Sequence, residues 1–216
     1  MSTPIELASL DLAALIASRL CHDVISPVGA IVNGLEVLEE EKDPAMREIA
    51  LDLVRKSAEQ ASARLQFARL AFGAAGSAGA QIDVGDAEQV AQGIVRDAKA
   101  EMSWSAPRVL LPKNKVKLLL NMLVIAMSTV PRGGTITVTV EGNEPDTVFK
   151  IVTTGPMVRV AAGVVELLAG TPADGRVDAH VIQPFYTGLV AREAGMSVSI
   201  DMEGETVVLH ARTASV

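Results

Sequence analysis

The chain of 216 residues has little of what disulfide-bonded, metal-binding and nucleic-acid-binding proteins use. Cys21 is its single cysteine, which excludes an intrachain disulfide and a metal site built from clustered cysteines. The formal net charge is -7 and no run of lysine and arginine is present, so we expect no direct binding to nucleic acid. A protein partner fits this composition better.

Targeting and membrane-spanning segments are also missing from the sequence pattern. Residues 1–10 lack the basic start of a signal peptide, and no uninterrupted apolar run approaches the roughly 20 residues that cross a bilayer. We therefore expect a cytoplasmic protein that does not enter a membrane. Hydrophobic residues make up 49% of the chain, enough for a sizeable core in one large or two small domains.

Glycine and serine accumulate at residues 73–79, where the helical periodicity stops. We predict a helical domain over residues 1–75 and a mixed domain over residues 80–216. In the mixed domain, alternating segments at 134–140 and 148–152 predict neighbouring antiparallel strands. The predicted fold class is therefore α+β.

Two helices are predicted in the first domain. Asp11 is a candidate N-cap for a helix that reaches about Glu41, and Asp43 precedes a second helix that runs to about Phe72. The short connection predicts an antiparallel hairpin. The predicted apolar stripe of the first helix consists of Leu12, Ile16, Leu20, Val24, Val28, Ile31, Leu35 and Leu38. That of the second consists of Met46, Ile49, Leu53, Ala61, Leu65, Ala68 and Phe72. A lone hairpin buries such stripes poorly, so we expect a homodimer in which two hairpins form a four-helix bundle.

A His-Asp pair followed by Ser-Pro lies early on the first predicted helix, at residues 22–27. At about 100° per residue, His22 points away from the apolar stripe and into water. A neutral imidazole nitrogen is a competent nucleophile near pH 7. Asp23 is predicted either to orient the ring or to accept its proton, and Pro27 should bend the helix because it removes a hydrogen bond.

The residues around His22 predict a docking surface for a partner. Leu15 and Ile25 are apolar residues that flank the His22 face, while Ser26 and Gly29 are small and leave space. Arg19 is predicted to offset phosphate charge. The alternative is that Leu15, Arg19 and Ile25 are scattered surface residues or lie at the edge of the helical bundle.

The segment His22-Asp-Val-Ile-Ser-Pro-Val28 resembles the phospho-accepting box of bacterial sensor histidine kinases, with Ile25 in place of the usual arginine. The resemblance continues through Asn121-Met-Leu-Val-Ile-Ala126, which is similar to the kinase N-box. Ile125 occupies the position of the magnesium-binding asparagine there. A hydrocarbon side chain cannot ligate a hard cation that requires oxygen.

The remaining kinase motifs are altered in the same direction. Thr153 and Met157 stand where kinases have the adenine-binding aspartate and a glycine, and the glycine-rich ATP lid is missing. Without that backbone cradle, a triphosphate has no obvious site. The resemblance implies a degenerate ATPase-like (Bergerat-type) α/β sandwich domain that does not bind ATP.

The segments at residues 22–36 and 183–192 resemble the ChpT family of histidine phosphotransferases. The resemblance implies that His22 is phosphorylated by the receiver domain of a CckA-type hybrid histidine kinase and passes the group to response regulators of the CtrA and CpdR type. It also implies that the chain binds no cofactor and no metal, since the receiver supplies Mg²⁺. Two alternatives are a non-catalytic dimeric adaptor, which phosphate on His22 would exclude, and an active histidine kinase, which ATP binding would support.

Overall fold

Two long helices open the part of the chain that the computed structural model describes, which comprises residues 4–73, 79–96 and 98–214. Helix α1 spans Ser9–Glu40 and helix α2 spans Pro44–Ala71. Most of the predicted glycine- and serine-rich linker lies outside the described residues. The domain limits at residues 75 and 80 stay a prediction.

The N-terminal capping residue was predicted correctly for α2 but not for α1. Asp43 caps α2, since its carboxylate accepts a hydrogen bond from the Ala45 backbone amide at 3.1 Å. The N-cap of α1 is Ala8, which makes no side-chain capping bond, and Asp11 lies inside the first turn. The prediction of Asp11 as the N-cap was therefore wrong. Its carboxylate in the first turn still faces the positive end of the helix dipole.

The two helices pack side by side as the predicted antiparallel hairpin. Gly34 of α1 lies against Ala50 and Val54 of α2, and a Cβ built on Gly34 would stand 2.6 Å from Val54 Cγ2. Toward the opposite end of the hairpin, Arg64 of α2 reaches the backbone of Asp23. The absence of a side chain at Gly34 thus sets how closely the helices approach.

The predicted apolar stripes are only half covered within one chain. Large apolar side chains remain exposed along both helices, among them Val28, Val32 and Leu35 on α1 and Ile49, Leu53 and Leu65 on α2. By length and composition alone, α1 is apolar enough to cross a membrane, with 6% of its most apolar window buried. The sequence contains no unbroken apolar run of that length, so α1 was not predicted as a membrane-spanning candidate.

The rest of the described chain alternates short strands and helices. The helices are α3 (Val84–Val95), α4 (Lys113–Thr129), α5 (Val164–Ala169) and α6 (Ile182–Glu193). The strands are β1 (Gln81–Asp83), β2 (Ala100–Ser105), β3 (Leu110–Pro112), β4 (Gly134–Glu141), β5 (Val148–Thr154), β6 (Met196–Glu203) and β7 (Thr206–Thr213).

Five of these strands form one sheet in the order β2-β4-β5-β7-β6. Strands β2 and β4 run parallel, and the other neighbours run antiparallel, with Val138 of β4 opposite Ile151 of β5. The predicted antiparallel pair and the α+β class are therefore confirmed. Strands β1 and β3 form a separate two-stranded sheet.

Helices α4 and α6 bury their apolar faces with the sheet, and the core extends into the end of the hairpin. Phe67 and Ala71 of α2 belong to the same buried cluster as Phe149 and Leu209 of the sheet. A second cluster joins Leu15 and its neighbours on α1 to buried residues of α5 and α6. The histidine-bearing helix is thus held directly by the mixed part of the chain.

Candidate functional site

His22 lies on the solvent side of α1, as the helical periodicity predicted. Its side chain is 77% exposed, and its Nδ1 lies 3.4 Å from Oδ1 of Asp23. In the tautomer with the proton on Nδ1, that proton faces the Asp23 carboxylate and Nε2 carries the lone pair. In this tautomer Nε2 is the nucleophilic atom of an exposed ring.

Asp23 is held by a second contact on its other oxygen. Arg19 Nε donates to Asp23 Oδ2 at 2.9 Å across one turn of the helix, and both side chains are partly buried. The pair therefore fixes the carboxylate that the imidazole faces. The sequence pattern placed Arg19 beside His22 but did not predict that its guanidinium would bind Asp23.

The main chain at Asp23 has a contact that sequence reasoning missed. Pro27 is buried inside α1 and has no N–H, so the carbonyl of Asp23 four residues earlier has lost its helical donor. Arg64 Nη1 of α2 donates to this carbonyl. Pro27 in the sequence indicates that the carbonyl of Asp23 lacks a helical donor, but the sequence does not show that Arg64 of α2 is the donor.

The predicted docking residues divide into two sets. Ile25 is 68% exposed, Ser26 is exposed, and a Cβ on Gly29 would meet no atom within 4 Å. These three residues form an open surface within two helical turns of the histidine, and their role in docking stays a prediction. Leu15 is half-buried against α5 and α6 and Arg19 is engaged with Asp23, so neither is a free surface residue.

Asn121, the asparagine of the predicted N-box, lies in the interior. Asn121 is fully buried, and its amide nitrogen donates to the carbonyl of Ala71 at 3.0 Å and to that of Lys117 at 2.8 Å. Its oxygen accepts from Nε2 of Gln183 at 2.7 Å. Asn121 therefore joins α2, α4 and α6, and none of its polar atoms is left to face a ligand.

Two further positions of the predicted nucleotide motifs, Ile125 and Thr153, are also buried. Ile125 is 3% exposed, and it borders a cavity of about 240 Å³ between α1, α4 and α6. Thr153 is fully buried and shares a hydrogen bond with the hydroxyl of Thr129 at 2.7 Å. The Thr153 hydroxyl therefore makes a hydrogen bond in the interior and carries no charge, unlike a carboxylate at the same position.

A larger cavity, of about 910 Å³, lies beside the loop between α5 and α6. Asp174 and Asp178 on its wall accept hydrogen bonds from backbone amides of the same loop, and Arg176 is the basic residue among them. In the described residues, no group of three or more His, Cys, Asp or Glu side chains is arranged to hold a metal ion.

The fold and the site together define a class of protein in which a helical hairpin carries an exposed histidine and is followed by an α+β unit. A family model described as the histidine phosphotransferase C-terminal domain matches residues 84–206, more than half of the chain. The chain therefore belongs to the histidine phosphotransferase family.

Full-length relatives agree with this assignment. Over 211 residues the chain is 54% identical to protein phosphotransferase ChpT of Brucella abortus (strain 2308), with 98% of this chain and 100% of that protein covered. A bacterial phosphotransferase solved at 1.7 Å has a TM-score of 0.89 at 52% identity over 97% of this chain and 100% of that one. The ChpT-family resemblance read from the sequence is confirmed.

Proposed function

We propose that this chain is a histidine phosphotransferase of a two-component phosphorelay and that His22 carries the phosphoryl group. The observation that supports this most is the exposed imidazole beside Asp23, on the hairpin of a chain that belongs to the histidine phosphotransferase family. The two ring nitrogens are in different surroundings, as a nucleophile that must be oriented requires. Asp23 and Arg19 are the residues that orient it.

The transfer starts from an aspartyl phosphate on a receiver domain. The lone pair on Nε2 of His22 attacks phosphorus in line, the bond from phosphorus to the receiver oxygen breaks, and the aspartate leaves as a carboxylate. The proton on Nδ1 stays on the ring, where the Asp23 carboxylate offsets the developing positive charge. The receiver's acidic cluster holds Mg²⁺. Both phosphorylated forms are high-energy, so the step runs in either direction.

The partners follow from the family resemblance. The donor is the receiver domain of a CckA-type hybrid histidine kinase, and the acceptors are response regulators of the CtrA and CpdR type. The exposed surface of Ile25, Ser26 and Gly29 is where we place the docked receiver, because it borders His22 and carries an apolar side chain with small neighbours. The relay is cytoplasmic, where such receivers occur.

ATP has no part in this function. Ile125 is buried and cannot ligate magnesium, and the hydroxyl of Thr153 is paired in the interior where a kinase has the carboxylate that binds adenine. The polar atoms of Asn121 all make interior hydrogen bonds. Titration calorimetry with ATP and Mg²⁺ should show no heat of binding. A micromolar site would overturn this part of the proposal and support an active kinase.

A homodimer covers the exposed apolar faces of the hairpin. The uncovered apolar side chains of α1 and α2, such as Val28, Leu35 and Ile49, are placed to pack against the same face of a second copy in a four-helix bundle. The apolar character of α1 is explained by this burial. Light scattering coupled to size exclusion should give twice the 22.6 kDa chain mass. A mass of one chain at micromolar concentration would contradict the bundle.

Label transfer tests the central proposal. A purified receiver carrying radiolabelled aspartyl phosphate should label the wild-type chain and not His22→Ala, and the label should be acid-labile. Labelled ATP alone should give no label. His180→Ala is the matched control, because His180 is also an exposed histidine. Retained label in His22→Ala would move the acceptor elsewhere, and the absence of label from every receiver tested would favour the adaptor.

A further inference from the structure

The hydrogen bond from Arg64 to the backbone of Asp23 lies one residue from the proposed phosphate acceptor and joins the two helices of the hairpin. In a regular α-helix the carbonyl of residue 23 accepts from the amide of residue 27. Pro27 has no amide hydrogen, and its ring pushes this carbonyl away from the helix axis. The carbonyl therefore needs a donor from outside α1.

We propose that Arg64 is a positioning residue for phosphotransfer, because it supplies the donor that Pro27 removes and so fixes the turn of α1 that carries His22. This role rests on the proposed function of His22. Arg64 is partly buried, as is the hydrogen bond it makes, so water is a poorer substitute donor there.

The two arginines hold opposite ends of one residue. Arg19 binds the carboxylate of Asp23 from within α1, and Arg64 binds its carbonyl from α2. The carboxylate in turn faces Nδ1 of His22 at 3.4 Å. Through this arrangement, the position of α2 along α1 is transmitted to the direction of the imidazole.

Arginine suits this position better than lysine would. Its planar guanidinium gives one N–H to the carbonyl while its other donors remain available along the same edge, whereas an ammonium is a compact, strongly hydrated point charge. We expect Arg64→Lys to restore part of what Arg64→Met loses. A general loss of helix propensity would not produce this order, because Met and Lys are similar helix formers.

A double-mutant cycle tests the assignment. Arg64→Met should lower the transfer rate constant at saturating receiver about tenfold, the size expected when a partly buried carbonyl loses its donor. The receiver concentration that gives half the maximal rate should change less than twofold. In a Pro27→Ala background the amide of residue 27 returns as donor, so the same Arg64→Met change should cost less than twofold.

The controls separate this role from the folding of the hairpin and from the proposed function. Arg55→Met removes an exposed arginine of the same helix, which lies 3.9 Å from Asp52, and should leave the rate unchanged. Denaturation midpoints of the four cycle proteins should show the same coupling between positions 27 and 64 without any receiver. Arg64→Leu, which also lacks a donor, replaces Arg64→Met throughout if the latter does not fold.

The outcomes are distinguishable. Equal losses for Arg64→Met in the wild-type and Pro27→Ala backgrounds, in rate and in midpoint, would overturn the inference. Coupling of the midpoints with unchanged transfer rates would make Arg64 structural and also overturn its positioning role. If the wild-type chain accepts no phosphate from any receiver, the proposed function fails, and the positioning role fails with it.

Discussion

Replacing Asp23 with asparagine separates the two roles that the sequence left open for this residue. The change keeps the shape of the side chain but removes the charge that faces Nδ1 of His22 at 3.4 Å. If Asp23 only orients the ring and offsets its charge, the loss is one charge-charge interaction in a solvated site. If Asp23 is a general base, the loss is that of a proton-transfer catalyst.

The structure sets the size of the first effect. Because His22 is 77% exposed, the dielectric between the groups is close to that of water. Two unit charges about 4 Å apart then interact by about 1 kcal/mol. This corresponds to a loss of about fivefold in the transfer rate. A missing general base would cost about 100-fold to 10,000-fold.

We expect Asp23→Asn to slow transfer from a phosphorylated receiver about fivefold, measured by rapid-quench kinetics at saturating receiver. Glu36→Gln removes an exposed charge from the same helix and is the matched control. Its rate should equal that of the wild type. A loss above 100-fold for Asp23→Asn, with the control unchanged, would refute the electrostatic argument and make Asp23 a base.

Three further changes test the packing and the docking surface. Gly34→Leu should destabilise the hairpin by about 1–3 kcal/mol in chemical denaturation, because its side chain overlaps Val54; an unchanged midpoint would show that the helices are not so closely packed. Ile25→Asp should raise the receiver concentration at half-maximal transfer about tenfold with little change in stability, and an unchanged value would place the docked receiver elsewhere. Burial raises the pKa of Tyr186, which packs on Phe72, so its neutral form is favoured in the folded state. The contribution of Tyr186 to stability should therefore be constant below about pH 10 and decrease above it, and Tyr186→Phe should remove that part of the decrease in a pH series of melts.

The features that were predicted correctly are those governed by local rules. Asp43 followed by proline marks the start of α2, and the alternating segments of β4 and β5 pair as expected. The exposure of His22 also followed from the helical repeat, because every residue on that side of α1 shares its direction. The prediction of Asp11 as N-cap was wrong because a helix can begin without a side-chain cap, as α1 does at Ala8.

Other features depend on which segments meet, and no local rule specifies that. Leu15 was predicted to flank the His22 face in a docking surface, and the structure shows that it is half-buried against α5 and α6. Asn121 kept the residue type of a nucleotide-binding motif, yet the end of α2 and the side chain of Gln183 take its hydrogen bonds. Residue identity alone does not reveal whether a polar group faces a ligand or the interior.

Sequence alone determined that an exposed histidine, followed by Asp23, would stand on an amphipathic helix, because a repeat of 3.6 residues fixes the direction of each side chain. It also determined that the carbonyl of Asp23 would lack a helical donor, because Pro27 has no N–H. Only the tertiary structure decided that Arg64 would be the donor. That choice depends on how far α2 slides along α1, and the close contact at Gly34 sets this distance through packing between residues far apart in the chain.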